Sequence, residues 1–486
     1  MTITLINAGP GTGKTFTIEN GYRSLSRKYG GVFTPTDEQQ TIFDYLKSEF
    51  PKPEASVCFF AHNTSTKEKL IADLPKGTPV YTFHGAGQSA LIRKHRFQKL
   101  SYNRADTIIS AITGKFLRDM PTEMKRNWYA VKKYVDYCKL ECCEINQESY
   151  NYIRMKYSDM SIATFASNWS EQAHDLMTRS QVVNGYVEFV DMLWLGMRAI
   201  TKPIYDIGFI DESQDISKCS YALVTRLCRN VIFCGDKNQA INAFAGASEE
   251  MYNHIEKVAD AVLPLKMTLR NPPFICEKAN WLRPGGVIQG PNQSPASEHT
   301  ITYDSLPEKL VTQCKPKNTL IISRTNAAII STAILLHKKG IPCQIIDKDL
   351  ADEIKKFFNM FFTKDISKLY QKLDSYREQN SRSKNPLWVQ FVEDKCHYCR
   401  ELLDQIKSWD QLMDLLKATF EKHLDGFKLC SIHKSKGLEA VNIFIINPPV
   451  EMQIAMKHPI AREQEINLHF VALTRCSSNL FWVIYG

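Results

Sequence analysis

Thr2-Ile3-Thr4-Leu5-Ile6-Asn7 runs directly into Ala8-Gly9-Pro10-Gly11-Thr12-Gly13-Lys14-Thr15, and a helical pattern follows. The six residues rich in aliphatic and β-branched side chains predict a buried strand. Glycines after it let backbone N–H groups curl around an anion, and the next helix turns its positive dipole end to the same point. Lys14 is then placed to reach the β- and γ-phosphates of a nucleoside triphosphate, and the Thr15 hydroxyl to ligate Mg²⁺. The stretch Ala8, Gly9, Pro10, Gly11, Thr12, Gly13, Lys14 and Thr15 is therefore the expected cradle for ATP and Mg²⁺, with Ala8 where such loops usually begin with glycine. Strand, loop and helix in this order predict an α/β fold built on a parallel sheet.

Such a cradle needs an acid for the metal and a group to orient water. Ile207-Gly208-Phe209-Ile210-Asp211-Glu212 supplies both at the end of a second apolar run. Asp211 is expected to hold Mg²⁺ together with Thr15, and Glu212 to polarise the attacking water. An acidic pair after a strand is more often a helix cap; its company here favours catalysis.

The bulk composition sets bounds on the remainder. The chain has 486 residues, 44% hydrophobic and 23% charged, which predicts a globular protein of several compact units. No run of about 18 uncharged apolar residues occurs, so no membrane span is expected. The N-terminus reads as strand and loop rather than signal peptide. Lys and Arg number 61 against 52 Asp and Glu, a net charge of +9 that suits a phosphate-rich partner without specifying one. One basic cluster, Ile92-Arg93-Lys94-His95-Arg96-Phe97-Gln98-Lys99, reads equally as a solvated helix face. Fourteen scattered cysteines carry no disulfide framework, which points to a reducing cytoplasmic interior. Cys138, Cys142 and Cys143, with Cys396 and Cys399, could share a metal; free thiols on helices are the default.

Strand-like runs alternate with helical stretches in two blocks. The first contains Thr2–Asn7, Ser56–Phe60, Pro79–Thr82, Ile207–Asp211 and Asn230–Cys234; the second contains Thr319–Ser323, Pro342–Ile346, Lys428–Ile432 and Val441–Ile446. Helix-rich stretches interrupt each. The expected organisation is a first domain over 1–89 and 186–272 with an insertion over 90–185. A second domain is expected over 273–347 and 425–486, with a short insertion over 348–424. Gln379–Pro386 (QNSRSKNP) is expected to be an exposed loop within the latter.

Asp211-Glu212-Ser213-Gln214-Asp215 resembles the DExQD element of the UvrD/PcrA/Rep branch of superfamily 1 helicases. Gly235 to Ala247 (GDKNQAINAFAGA) resembles that branch's GDxxQSIYxFRGA element. Leu269-Arg270-Asn271-Pro272 resembles NYRS, and Ile322 to Asn326 resembles a strand ending in R-x-N. His433 to Glu439 (HKSKGLE) resembles HSAKGLE, and Val471 to Arg475 (VALTR) resembles V-A-x-T-R. Thr82-Phe83-His84-Gly85 resembles TFHS, and Val187 to Leu193 resembles DFDDLL.

The resemblance implies two RecA-like P-loop NTPase domains in tandem, each with an inserted helical subdomain and ATP between them. It gives Lys14, Asp211, Glu212, Gln239, Arg270 and Arg475 catalytic roles: Gln239 senses the γ-phosphate, and the two arginines complete the site on closure. Glu439 joins the nucleotide-binding set. Phe244 is the expected base-stacking side chain, with a core phenylalanine as the alternative. His62, Asn63, His84, Arg324 and His433 are further candidates for contact with the strand. The implied activity is ATP-driven 3′-to-5′ translocation on single-stranded DNA and unwinding at single-strand/duplex junctions. The protein would act as a monomer or loose oligomer, with room for a protein loading partner. An RNA-directed helicase, or an ATPase that remodels protein–DNA complexes with little unwinding, remains open.

Four departures qualify the match. Only eight residues precede Gly9, so the glutamine segment that reads adenine is absent there; Thr36-Asp37-Glu38-Gln39-Gln40 follows the loop helix instead. Leu269 replaces the adenine-stacking tyrosine, which predicts loose nucleotide specificity. Ala245 replaces the arginine of FRGA, and Ala61 falls near a stacking phenylalanine. The second insertion is short, and the few residues after Arg475 predict no further domain.

Overall fold

The computed structural model describes residues 1–25, 34–50, 55–95, 99–101, 103–157, 168–181, 186–241, 249–292, 294–381, 386–421, 425–446 and 459–485. They divide into two compact units, Met1–Lys266 and Met267–Gly486.

The first unit is organised by six strands: β1 (Ile3–Ala8), β2 (Val57–Ala61), β3 (Val80–Thr82), β6 (Tyr205–Ile210), β7 (Cys228–Gly235) and β8 (Ala261–Leu265). They pair in the order β3-β2-β6-β7-β1-β8, all parallel. A parallel sheet must be covered on both faces, which is why its central strands read as unbroken apolar runs. Alternation along each strand sorts the core. Ile6, Phe59, Phe209 and Ile232 face one layer, with Ile18 of α1 (Lys14–Leu25) and Ile42 of α2 (Asp37–Glu49). α3 (Thr64–Asp73) follows β2. Leu5, Cys58, Phe60 and Val231 face the other layer, with α4 (Phe83–His95). Between β3 and β6 the chain forms α5 (Arg104–Thr113), α6 (Thr122–Glu141), α7 (Gln147–Tyr157), α8 (Trp169–Ser180) and α9 (Phe189–Ala199). A two-stranded ribbon, β4 (Lys99–Leu100) with β5 (Tyr186–Val187), lies in the same stretch. α10 (Lys218–Leu227) and α11 (Glu249–Val258) complete the unit.

Two local devices hold these helices. Asp191 of α9 is buried between Arg104 of α5, directly bonded to it, and Lys139 of α6 at 2.8 Å. Removing one member of such a set would leave an uncompensated buried charge. α6 ends on Cys142 with φ 53° and ψ 35°, a left-handed cap where glycine is the usual occupant.

In the second unit, β9 (Ser297–Thr302), β10 (Thr319–Ser323), β11 (Cys343–Ile345), β12 (Phe427–Ser431), β13 (Ala440–Ile446) and β14 (Cys476–Ile484) form a parallel sheet in the order β11-β12-β10-β13-β14-β9. α12 (Pro273–Leu282) and α13 (Leu306–Gln313) precede β10, and α14 (Asn326–Lys338) follows it. α15 (Lys348–Asn359), α16 (Ile366–Ser381), α17 (Pro386–Leu403) and α18 (Trp409–Phe420) lie between β11 and β12, and α19 (Pro459–Leu473) precedes β14.

Several boundaries differ from the sequence-based expectation. Gln379, Asn380 and Ser381 close α16 rather than opening a loop, and Asn380 donates to the Tyr376 carbonyl at 2.7 Å; residues 382–385 lie outside the described ones. β8 and β9 have no counterpart in the expected alternation. Pro264 interrupts the donor pattern of β8, and β9 (SEHTIT) is polar and largely exposed. Both are edge strands, where pairing on one side suffices. Among the described residues no helix is long and apolar enough to cross a membrane. No group of three or more His, Cys, Asp or Glu side chains among them is arranged to hold a metal. Cys396 and Cys399 are both buried in α17.

α4 and α9 approach where both carry glycine. A β-carbon on Gly196 would lie 2.4 Å from the Gly87 Cα, and one on Gly87 would lie 2.0 Å from the Met192 carbonyl oxygen. Gly196→Ala is expected to lower unfolding free energy by about 2 kcal/mol or more, since overpacking here meets backbone rather than a movable side chain. An unchanged urea midpoint would show that the crossing opens without cost.

Candidate functional site

The loop after β1 closes on itself before any ligand is considered. Gly9 N donates to the Leu265 carbonyl at 2.7 Å, and Thr12 Oγ1 donates to the Gly9 carbonyl at 3.0 Å. Gly11 and Gly13 have φ of 67° and 78°, the left-handed region that the curl requires. α1 then begins at Lys14 with no acidic residue in its first turn, so its N-terminal field is left for an anion. Lys14 Nζ donates to the Gly9 carbonyl at 3.2 Å, folded back over the loop.

Opposite this loop stands the end of β6. Thr15 Oγ1 donates to Asp211 Oδ2 at 2.7 Å, and Asp211 Oδ1 accepts from the Glu212 backbone N–H at 2.9 Å. Burial, and then the adjacent Glu212 charge, push the Asp211 carboxyl up to about 6, against the pull of Thr15 and Lys14. Two neighbouring carboxyls and a hydroxyl form a hard-oxygen donor set carrying excess negative charge. A Mg²⁺-sized cation fits that chemistry.

Glu212 itself sits at φ 52° and ψ 46°, a left-handed conformation costing about 1–2 kcal/mol in a residue with a β-carbon. Gln214 Nε2 bonds the Glu212 carboxylate, while Gln214 Oε1 accepts from Asp236 N at 3.0 Å. Asp236 in turn accepts from Gln239 Nε2 at 2.7 Å and from Asn238 N at 3.0 Å. A chain of polar contacts thus runs from the acid after β6 to the glutamine after β7. Gly235 makes room for it: a β-carbon there would lie 2.4 Å from Ser213 Oγ and 2.5 Å from Gln214 Oε1. The sequence reading gave no role to Gln214 or Asp236. Their part depends on β6 and β7 being neighbours, and the motif's spelling does not state that.

Other candidates of the first unit divide into two groups. His62 and His84 lie near one another, beyond the ends of β2 and β3. His84 stacks on Phe189 with ring centroids 3.7 Å apart, and burial followed by His62 lowers its imidazole to about 4. It is therefore neutral at physiological pH. Phe189, exposed at the head of α9, is an aromatic that sequence reasoning passed over although it stands within VEFVDML. Asn63 has a different task in the described structure: its Oδ1 caps α3 by accepting from Thr66 N at 2.8 Å. Phe244 and Ala245 lie outside the described residues. Gln39 is buried, with Nε2 donating to Thr17 Oγ1 at 3.1 Å and the remainder engaged in a capping box with Thr36. Gln40 is exposed and pairs with Asp44.

In the second unit, Arg270 Nε meets Glu439 Oε2 at 2.5 Å and Nη1 donates to the Thr474 carbonyl at 3.1 Å. Asn271 anchors the same turn on the Thr474 and Cys476 carbonyls. Arg475 is only 2% exposed; its guanidinium donates to the Val471 and Leu438 carbonyls at 3.0 and 3.2 Å. Arg324 grips Glu465 through Nε and Nη2 at 2.7–3.0 Å, and His433 is lowered to about 4 by burial and then by Arg324.

A glycine-rich loop leading into a helix, with a hydroxyl–carboxylate pair and a second acid at the carboxyl ends of a parallel sheet, has the chemistry of a nucleotide site. Two parallel six-stranded sheets are compatible with a pair of RecA-like domains. Residues 61–260 match the UvrD/REP helicase N-terminal domain. The chain is also similar to the "ATP-dependent DNA helicase HMI1, mitochondrial" of Saccharomyces cerevisiae, 27% identical over 172 residues. That likeness covers 29% of this chain and 24% of the yeast protein, so the chain spans about a quarter of its relative's length.

One buried group of α1 reports on the loop's foundation. Glu19 is 7% exposed, and its Oε1 has no hydrogen-bond partner. Burial first, and then Asp73, push its carboxyl from 4.5 to about 7. The folded protein therefore holds a proton that the unfolded chain releases near 4.5. The stability from that proton is complete below 4.5 and is lost as pH rises through 7. Glu19→Gln is expected to exceed wild type in stability by about 2 kcal/mol at pH 8, and to match it at pH 4. Parallel pH profiles in urea denaturation would refute this.

Proposed function

We propose that the protein is an ATP-dependent motor that translocates 3′ to 5′ on single-stranded DNA and unwinds duplex at the junction. The observation that carries the reading is the Thr15–Asp211 bond at 2.7 Å with Glu212 alongside, the two acids lying within the residues that match a helicase domain. Lys14 and the loop from Ala8 to Thr15 would bind the triphosphate of ATP. Thr15 and Asp211 would hold Mg²⁺, which when bound supplies charge neutralisation at the phosphates. Glu212 would take the proton from the attacking water, with Gln214 holding its carboxylate and Gln239 reading the γ-phosphate. Arg270 and Arg475 would meet the charge that develops on the transferred group, and Glu439 would contact the nucleotide.

The proposed domains are RecA-like, one over 1–89 and 186–272 and the other over 273–347 and 425–486. The stretches 90–185 and 348–424 are proposed as helical insertions that meet substrate. His62, His84, Phe244, Arg324 and His433 are the proposed strand contacts. Neutral imidazoles at His84 and His433 suit stacking and hydrogen bonding better than phosphate pairing, and such contacts tolerate any base sequence. Asn63, whose Oδ1 caps α3, is proposed as a further and weaker contact.

The test is steady-state ATPase activity with and without single-stranded DNA. Stimulation of about tenfold or more is expected, with Glu212→Gln lowering the stimulated rate by about 10²–10⁴ and Lys14→Ala abolishing it. Duplexes with 3′ or 5′ tails then read the polarity. Stimulation without strand separation would favour a remodelling ATPase, stimulation by RNA alone an RNA motor, and no stimulation by either would sink the motor reading.

A further inference from the structure

Four phenylalanines stand in two pairs where α15 ends, Phe357-Phe358 and Phe361-Phe362. Three of them pack. Phe357 and Phe358 are buried, and the Phe361 ring centroid lies 5.1 Å from that of Phe357 and 6.3 Å from that of Tyr376 in α16. Phe362 does the opposite: it is 96% exposed, and Met360 two residues before it is 46% exposed.

The backbone at Phe362 is unusual as well. Its φ is 51°, in the left-handed region, where a β-carbon is crowded and glycine is the usual occupant. The turn itself needs only main-chain atoms: Phe361 N and Phe362 N donate to the Phe358 and Asn359 carbonyls, each at 3.1 Å. Glycine would close α15 here without strain. Neither packing nor the turn accounts for an aromatic side chain at this position. Strain kept at an exposed ring points to a contact made outside the chain.

The surroundings define the chemistry of that contact. From Lys355 to Lys372 the chain carries five lysines and a single acid, Asp365. The lysines are Lys355, Lys356, Lys364, Lys368 and Lys372, and all are exposed. Asp365 is engaged locally, its Oδ1 accepting from Lys368 N at 3.2 Å at the start of α16. Lys355 has Asp352 at 4.0 Å and Lys364 lies 5.9 Å over the Trp409 ring, while Lys368 and Lys372 stand one turn apart on α16. A planar apolar ring with a positive rim is the make-up of a stacking platform for nucleic acid. The ring takes a base, and the ammonium groups take the phosphates beside it. A bilayer would ask for more, since one ring and one thioether bury too little apolar surface to hold a membrane.

We propose that Phe362 is a stacking residue for an unpaired base of the DNA strand, with Lys364, Lys368 and Lys372 neutralising the flanking phosphates. The assignment rests on the proposed motor function, and it gives the stretch 348–424 a defined contact within that function. Stacking on one ring tolerates any base, and the base must already be unpaired to reach it. The contact therefore falls on single-stranded DNA, and paired DNA gains only the attraction of its phosphates.

The test measures binding of labelled oligothymidine to the full chain by fluorescence anisotropy, against an abasic oligonucleotide of equal length. Phe362→Gly is expected to weaken oligothymidine binding about five- to a hundredfold and to leave abasic binding unchanged. Glycine is the residue that the left-handed turn favours, so this variant keeps its fold. Phe362→Trp, which retains a stacking surface, is expected to bind at least as tightly as wild type. Lys368→Gln and Lys372→Gln are each expected to reduce the salt slope of binding by about 0.7. The proposal is overturned, with the motor reading intact, if single-stranded DNA stimulates the wild-type ATPase yet Phe362→Gly binds oligothymidine as wild type does. It is also overturned if the loss is equal on the abasic strand, or if Phe362→Gly loses only binding to phosphatidylserine vesicles. A wild-type chain that neither binds DNA nor responds to it removes the motor reading and this contact together.

Discussion

The hydrogen bond from Thr15 to Asp211 joins the first turn of α1 to the end of β6, although β7 separates β1 from β6 in the sheet. It can form because the strands are parallel and in register: Asn7 lies against Gly235, and Ile210 against Phe233. All three strands therefore end at one edge, and the residues that follow them converge there. Ligands of open parallel sheets bind beyond the carboxyl ends of the strands for this reason. The buried apolar runs of β1, β6 and β7 are thus the foundation of the site as well as of the core.

The polar chain Glu212–Gln214–Asp236–Gln239 shows how tightly the edge is specified. Each member lies on a turn after β6 or β7, and Gly235 admits the Gln214 amide where any side chain would exclude it. Glu212 is held in a strained conformation by the same contacts. Strain that persists in a fold of marginal stability is normally found where chemistry requires it. Glu19 is a related cost, a buried carboxyl of α1 that must stay protonated or be destabilising.

The second unit repeats the sheet with different edge chemistry. Arginines replace the loop and the acids: Arg270 rests on Glu439, Arg324 on Glu465, and Arg475 on the Val471 and Leu438 carbonyls. Every one of these guanidiniums has partners in the described structure.

Local chemistry alone determined the phosphate loop, the acidic pair and the order of the later elements. The loop from Ala8 to Thr15 needs no distant contact to be recognised, because glycine conformation and a helix terminus act within a few residues. The same holds for the central strands, whose apolar runs follow from burial on both faces. Only the tertiary structure decided the rest. Edge strands β8 and β9 are strands because a neighbour pairs with them, Asn63 is a cap because α3 starts there, and Gln39 is buried because α2 packs on α1. Gln214 gains its role from the adjacency of β6 and β7. These depend on which segments become neighbours, a property of long-range packing that no local pattern of residues encodes.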